Sequence, residues 1–296
     1  MAVGTPLPEA GGAGLGSGRG RILSLLRHNP LGLVGGGMLV LVVLAAVLAP
    51  ILAPYPPTEV HFDTPFQRPL TEGYLLGTDD LGRDVLSRLL FGIQASLQVG
   101  VLSVLLAVVI GTPLGLLAGY WKWLDAVISR LTDVALAFPF LIIAVGLAAI
   151  SGPSLSNAVI AIGVSHVPAM IRIVRGETLR ITSADFVTSA KTLDAGGARI
   201  IAQHVLPNCV SAIIVQATVI MPVAVIGEAL LSFLGLGIQP PTPSLGIMLS
   251  DAQQYLGQAP WAAVVPGIAI AVICLGFNLF GDALRDALDP TASDRK

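Results

Sequence analysis

Apolar residues in this sequence run in long stretches, and the charged positions between them locate the elements. Between Arg27 and Glu59 lie 31 residues without Asp, Glu, Lys or Arg, and between Arg88 and Lys122 lie 33. Asp133 to Arg172 encloses 38, interrupted by Ser151-Gly152-Pro153-Ser154, which leaves 17 on either side. Arg199 to Glu228 encloses 28, and Asp251 to Asp282 encloses 30. A helix crossing about 30 Å of hydrocarbon needs about 20 apolar residues, and within lipid a helix satisfies its own backbone polar groups. The pattern therefore predicts an all-α polytopic membrane protein. Its six transmembrane helices fall near 33–53, 95–119, 132–150, 155–171, 207–231 and 261–281. The first is longer than the 7–15 residues of a signal-peptide core and reads as a retained anchor. Gly163, Ser165, His166 and Pro168 dilute the fourth.

Composition sharpens this picture. Hydrophobic residues make up 54% of the chain and charged residues 11%, against about 25% charged in soluble domains. An ordinary soluble enzyme is excluded, and so is a disordered chain. A net charge of −2 argues against nucleic acid, which demands clustered Lys and Arg. Cys209 and Cys274 stand far apart and suggest neither a disulfide framework nor a zinc site. Thirteen of the 16 Lys and Arg residues fall on one side of the six-span topology, and only Arg68, Arg83 and Arg88 fall on the other. The positive-inside rule then places both termini in the cytoplasm. Residues 1–28, rich in Gly, Ala and Pro, read as a disordered cytoplasmic tail, 29–290 as the membrane domain, and 291–296 as a second cytoplasmic tail.

Chemistry-bearing residues are sparse. No GxxxxGK(S/T) phosphate cradle occurs, and no chain of buried carboxylates or histidines suggests a proton relay. No cofactor or metal is expected for the chain itself. Glu228 sits at apolar depth and has two readings: a protonated or hydrogen-bonded carboxylate that packs two helices, or a residue of a pathway or gate. His166 follows Ser165, but neighbours on a helix point about 100° apart, so the pair does not form a nucleophile–base dyad alone. His166 reads as a helix-packing or pathway residue.

Residues 172–206 form a long basic loop. Within it Ser183–Leu193 predicts a short helix, with Ser183 as N-cap, Asp185 in the first turn and Gly196-Gly197 as its stop. Phe186, Ala190 and Leu193 share its apolar face. That face suits the membrane surface or the protein's own bundle, and equally a cytoplasmic partner's groove. Thr78–Phe91 predicts an amphipathic helix capped by Thr78, which suits a place in the membrane interface, or contact with a partner on the opposite side through Asp80, Arg83 or Asp84. The Pro-rich stretch Gln239–Ser244 reads as a turn or a rigid part of the same surface.

The run Asp185–Asn208, DFVTSAKTLDAGGARIIAQHVLPN, resembles the "EAA" loop of binding-protein-dependent ABC importer permeases. Gly77–Gly92, Ile110–Tyr120, Leu231–Leu256 and Phe277–Pro290 resemble further blocks of the dipeptide, oligopeptide and nickel branch, in order, so that roughly 25–290 is covered. The C-type subunit of the permease pair is the nearer match. The resemblance implies the type I importer permease fold. It also implies a homologous second permease, two cytoplasmic ATPase subunits that bind the ATP, and an extracytoplasmic solute-binding protein. It assigns ATPase coupling to Asp185, Phe186, Thr188, Ser189, Ala190, Leu193, Asp194, Gly196, Gly197 and Pro207. Peptides are the first expectation as substrate, with nickel or another small solute in reserve. Two positions depart from the family pattern: Thr188-Ser189-Ala190 stands for Glu-Ala-Ala, and Asp194 for Gly. A Gly permits φ > 0 where Asp tolerates it less well, so Gly196-Gly197 are expected to take over the turn. A self-sufficient secondary transporter and a membrane-embedded enzyme are the competing classes. The first usually shows matched broken helices, and the second needs convergent catalytic residues.

Overall fold

A computed structural model describes residues 30–288, so both expected tails lie outside the described residues. The described chain is helical. Helix α1 is Pro30–Val47. A single turn, α2 (Ala49–Leu52), follows it. Helix α3 (Val85–Tyr120) has 36 residues, about 54 Å at 1.5 Å per residue, and so outruns the hydrocarbon layer. Then come α4 (Lys122–Ala137), α5 (Phe140–Ser151) and α6 (Leu155–Thr182). The short α7 (Asp185–Thr192) and α8 (Gly197–Ile200) lead through a π-turn, Ile201–Val205, into α9 (Leu206–Phe233). Helices α10 (Leu245–Ala252) and α11 (Trp261–Leu288) complete the chain. Among the described residues five helices are long and apolar enough to cross a membrane, and six spans result when the bent pair α4–α5 is taken as one.

Three expectations about elements need correction. The third span is not one helix over 132–150: the chain bends by 80° between α4 and α5. Pro139 forces Phe138 out of the helical region, to φ −90° and ψ 120°. The fourth span continues to Thr182, so 172–182 is helix rather than loop. Its later turns carry polar residues that a hydropathy boundary excludes. The stretch Thr78–Phe91 is not one helix capped by Thr78. Residues 77–84 form a tight turn with Gly77 at φ +78° and Gly82 at φ +72°, and a Cβ on Gly82 would lie 1.9 Å from the His61 carbonyl oxygen. Thr78 donates its hydroxyl to Thr64 O (2.6 Å) and accepts from Gln67 N (2.8 Å). Asp84 is the cap, accepting from Ser87 N at 2.8 Å.

Close approach of α3 and α6 organises the bundle. Gly111, Gly115 and Gly119 recur every fourth residue on one stripe of α3. A Cβ on them would fall 2.7, 2.7 and 2.5 Å from the Cβ atoms of Met170, Val174 and Thr178. Between membrane helices, where lipid is as apolar as Leu, such backbone proximity supplies the packing. Gly35 of α1 meets Leu279 of α11 in the same way, at 2.7 Å.

Candidate functional site

Helix α7 stands at one end of the bundle. Its N-cap is Ala184, which makes no side-chain cap. The expected cap, Ser183, closes α6 instead and donates to Arg180 O at 2.8 Å. Among α7 residues only Val187 is fully buried. Phe186 is 49% exposed and Leu193 83%, while Ala190 is half-buried. The expected face is therefore present and largely uncovered. Asp185 lies in the first turn, and Thr188 and Ser189 turn their hydroxyls back onto Ala184 O (3.4 Å) and Asp185 O (2.9 Å).

Termination of α7 differs from the expectation. Asp194 itself adopts φ +56°, and Gly196 has an ordinary φ of −60°. The Asp194 N–H donates to Lys191 O (3.1 Å) and the Ala195 N–H to Ala190 O (3.2 Å). This is the Schellman pattern with an aspartate at the left-handed position. Gly197 opens α8. Pro207, exposed in the first turn of α9, lacks the N–H that would meet the carbonyl four residues earlier, and the π-turn lies directly before it. Phe186 faces His204 with ring centroids 6.5 Å apart. The structure thus gathers the ten coupling candidates at one end of the bundle.

Sequence reasoning missed Tyr120 and Trp121. Their rings meet edge to face at 4.8 Å, and Lys191 Nζ lies 5.6 Å from the Tyr120 centroid. An aromatic pair closing an apolar run reads as an interface anchor, which hides this contact with α7.

At the opposite end an ion-pair network replaces the expected free surface of Asp80, Arg83 and Asp84. Asp79 accepts from Arg83 Nε (2.7 Å) and Arg88 Nη1 (2.6 Å), and Asp251 accepts from Nη2 of both arginines at 3.1 Å. Asp84 is buried as a helix cap, and the Arg83 side chain is only 12% exposed. Asp80, 3.4 Å from Arg83, keeps more exposure. Burial, then the neighbouring Asp79 charge, push its carboxyl above the usual carboxylate range. Arg88 and Asp251 had signalled nothing in the sequence, because their pairing joins positions 163 residues apart.

Glu228 is fully buried in α9. Ser96 Oγ of α3 donates to it at 2.5 Å and Ser232 Oγ at 2.7 Å, and Ser232 Oγ accepts from Ile238 N at 3.2 Å. Glu228 thus ties α9 to α3 through Ser96. His166 Nδ1 lies 2.7 Å from Ile162 O and 3.1 Å from Ser165 Oγ, so the two neighbours do reach each other, contrary to the helical-angle argument. Ser165 Oγ also donates to Ile162 O at 2.7 Å. A ring nitrogen facing a carbonyl carries the proton, so it is no base toward serine. Among the described residues no group of three His, Cys, Asp or Glu could hold a metal ion.

Comparison with known proteins agrees with this architecture. Residues 111–294 match the family described as "Binding-protein-dependent transport system inner membrane component", and residues 20–69 match the "N-terminal TM domain of oligopeptide transport permease C". The dipeptide transport system permease protein DppC of Alkalihalophilus pseudofirmus is 44% identical over 90% of this chain and 87% of its own. DppC of Haemophilus influenzae is 42% identical over 89% of this chain and 92% of its own. A structure of the MetNI methionine ABC transporter in an inward-facing conformation superposes with a TM-score of 0.55 at 20% identity. It covers 67% of this chain and 94% of that one, a likeness of fold. The chain belongs to the binding-protein-dependent inner membrane components, as an ABC importer permease of the dipeptide and oligopeptide branch.

Proposed function

We propose that the chain forms half of the pathway by which an ATP-driven importer carries di- and oligopeptides across the cytoplasmic membrane. A homologous permease supplies the other half, and two ATPase subunits bind at the α7 end, which faces the cytoplasm together with both termini. An extracytoplasmic solute-binding protein docks at the opposite end. The subunit itself is non-catalytic and binds no ATP. The observation that carries this reading is α7, an amphipathic helix whose Phe186 and Leu193 project uncovered from the end of a six-span bundle. Peptide as cargo is supported by the relatives, among them a di/tripeptide permease of Pseudomonas aeruginosa at 44% identity.

Mechanistically, α7 is a lever. When the ATPases close on nucleotide, the groove around Phe186 and Leu193 moves, and packed helices carry the motion inward. Switching between inward- and outward-open states draws on the differential affinity of nucleotide, binding protein and peptide for those states. Reconstitution in vesicles tests the reading. Peptide uptake should require ATP, both permeases, the ATPase subunits and the binding protein together. Peptide accumulation by this chain alone would refute it and favour a self-sufficient transporter.

A further inference from the structure

The turn that ends α7 rests on the corner between α3 and α4. Lys191 Nζ stands 5.6 Å from the Tyr120 centroid, a distance at which an ammonium is attracted to the ring face. A Cβ on Gly197 would lie 3.0 Å from Tyr120 Cε1 and 3.3 Å from Trp121 Cζ2, so the backbone there runs close against both rings. Val187, the buried residue of α7, belongs to the same apolar cluster that Tyr120 packs against. Displacing α7 therefore pushes on these two aromatics.

The same corner leads directly into α4. Trp121 is the one residue between α3 and α4, in extended conformation at φ −109° and ψ 113°. The other end of α4 is the 80° bend at Phe138-Pro139. Between these joints α4 is thinly seated. Of its 16 residues only Ile128 and Thr132 are buried. An open apolar groove of about 250 Å³, lined by Leu114, Leu131, Val164 and Pro168 among others, runs between it and α3 and α6. Two ion pairs hold it to α6. Arg175 donates to Asp125 at 2.5 and 2.8 Å, and Arg172 donates to Asp133 at 3.1 Å. The apolar seat of α4 is small, Ile128 and Leu124 against Ala118, Val167 and Ile171, so a helix jointed at both ends and tied mainly by polar contacts has room to pivot.

We propose that Tyr120 and Trp121 are positioning residues that pass displacement of α7 into α4, and that α4 pivots about its two joints as the transporter changes state. This inference rests on the reading of α7 as the ATPase dock. It requires of α4 two discrete arrangements, as coupling between distant sites demands.

The test uses the complete importer in vesicles and reads peptide taken up per ATP hydrolysed. Tyr120→Phe, which keeps the ring, should retain the wild-type ratio. The double change Tyr120→Ala, Trp121→Ala should lower the ratio about tenfold or more while ATPase subunits still co-purify. A wild-type ratio in the double variant overturns the proposal, and so does loss of the ATPase subunits from it, since the rings would then merely build the dock. A second measurement leaves both rings intact. Spin labels at Val127→Cys and Leu179→Cys, in a chain with Cys209 and Cys274 replaced by serine, report the α4–α6 separation. It should change when nucleotide is trapped, and an unchanged separation overturns the pivot. A wild-type chain that recruits no ATPase at all overturns the dock reading together with the proposal. That outcome differs from a recruited ATPase working through an unmoved α4.

Discussion

At φ +56° the Cβ of Asp194 crowds its own backbone, a conformation that costs a non-glycine residue about 1 kcal/mol. Asp194→Gly should relieve this and raise the stability of the α7 turn by roughly 0.5–1 kcal/mol, read as slower hydrogen exchange at the Ala195 amide. Asp80 offers a pH test. Its carboxyl is held above the ordinary value of 3.8, chiefly by burial, so the folded state prefers it protonated. The stability this confers is complete below about 3.8 and is lost as pH rises through the raised folded value. Asp80→Asn should therefore melt above wild type at neutral pH, and the two melting curves should converge on acidification. At this scale the sequence showed which residues were unusual but not how they settle. The Asp at a Gly position was visible. That it would take the glycine's conformation was not, because the Schellman bonds to Lys191 and Ala190 that hold it there depend on the whole turn.

Among elements, the stripe of α3 glycines makes a matched prediction. Gly115→Ala would place its Cβ 2.7 Å from that of Val174 and should destabilise the protein by about 1–3 kcal/mol. Gly37→Ala, with nothing within 4 Å, should be neutral or gain up to about 1 kcal/mol from helix propensity. Thermal unfolding of the two detergent-purified variants compares them directly. On α7, Ala190→Arg inserts a long charge into the half-buried position between Phe186 and Leu193. It should lower ATP-dependent uptake about tenfold or more, with ATPase co-purification as the measurement. Spans were legible because lipid imposes length and apolarity whatever the tertiary packing. Breaks were legible where glycine and proline coincide, as at Gly152-Pro153, and illegible at Phe138-Pro139, where apolar residues run on across the bend. The turn at 77–84 was misread because Leu81 keeps helical spacing with Val85 and Leu89 of the helix that follows, while Gly77 and Gly82 take positive φ.

For the molecule as a whole, the six-span count and the placing of α7 at one end followed from sequence. The packing of the far end did not, since Arg88 meets Asp251 only once α3 and α10 are brought together. The chain's surface also carries a consequence for its life in the cell. The Asp133–Arg172 pair, on two bilayer-crossing helices, is 65% and 60% exposed, and residues 133–139 are all uncovered. Charges left against lipid are costly, so such a face suits protein or water rather than acyl chains. A subunit synthesised without its mate should accordingly be an orphan that membrane proteases clear. Pulse-chase labelling should show its half-life lengthening several-fold when the proposed second permease is co-expressed.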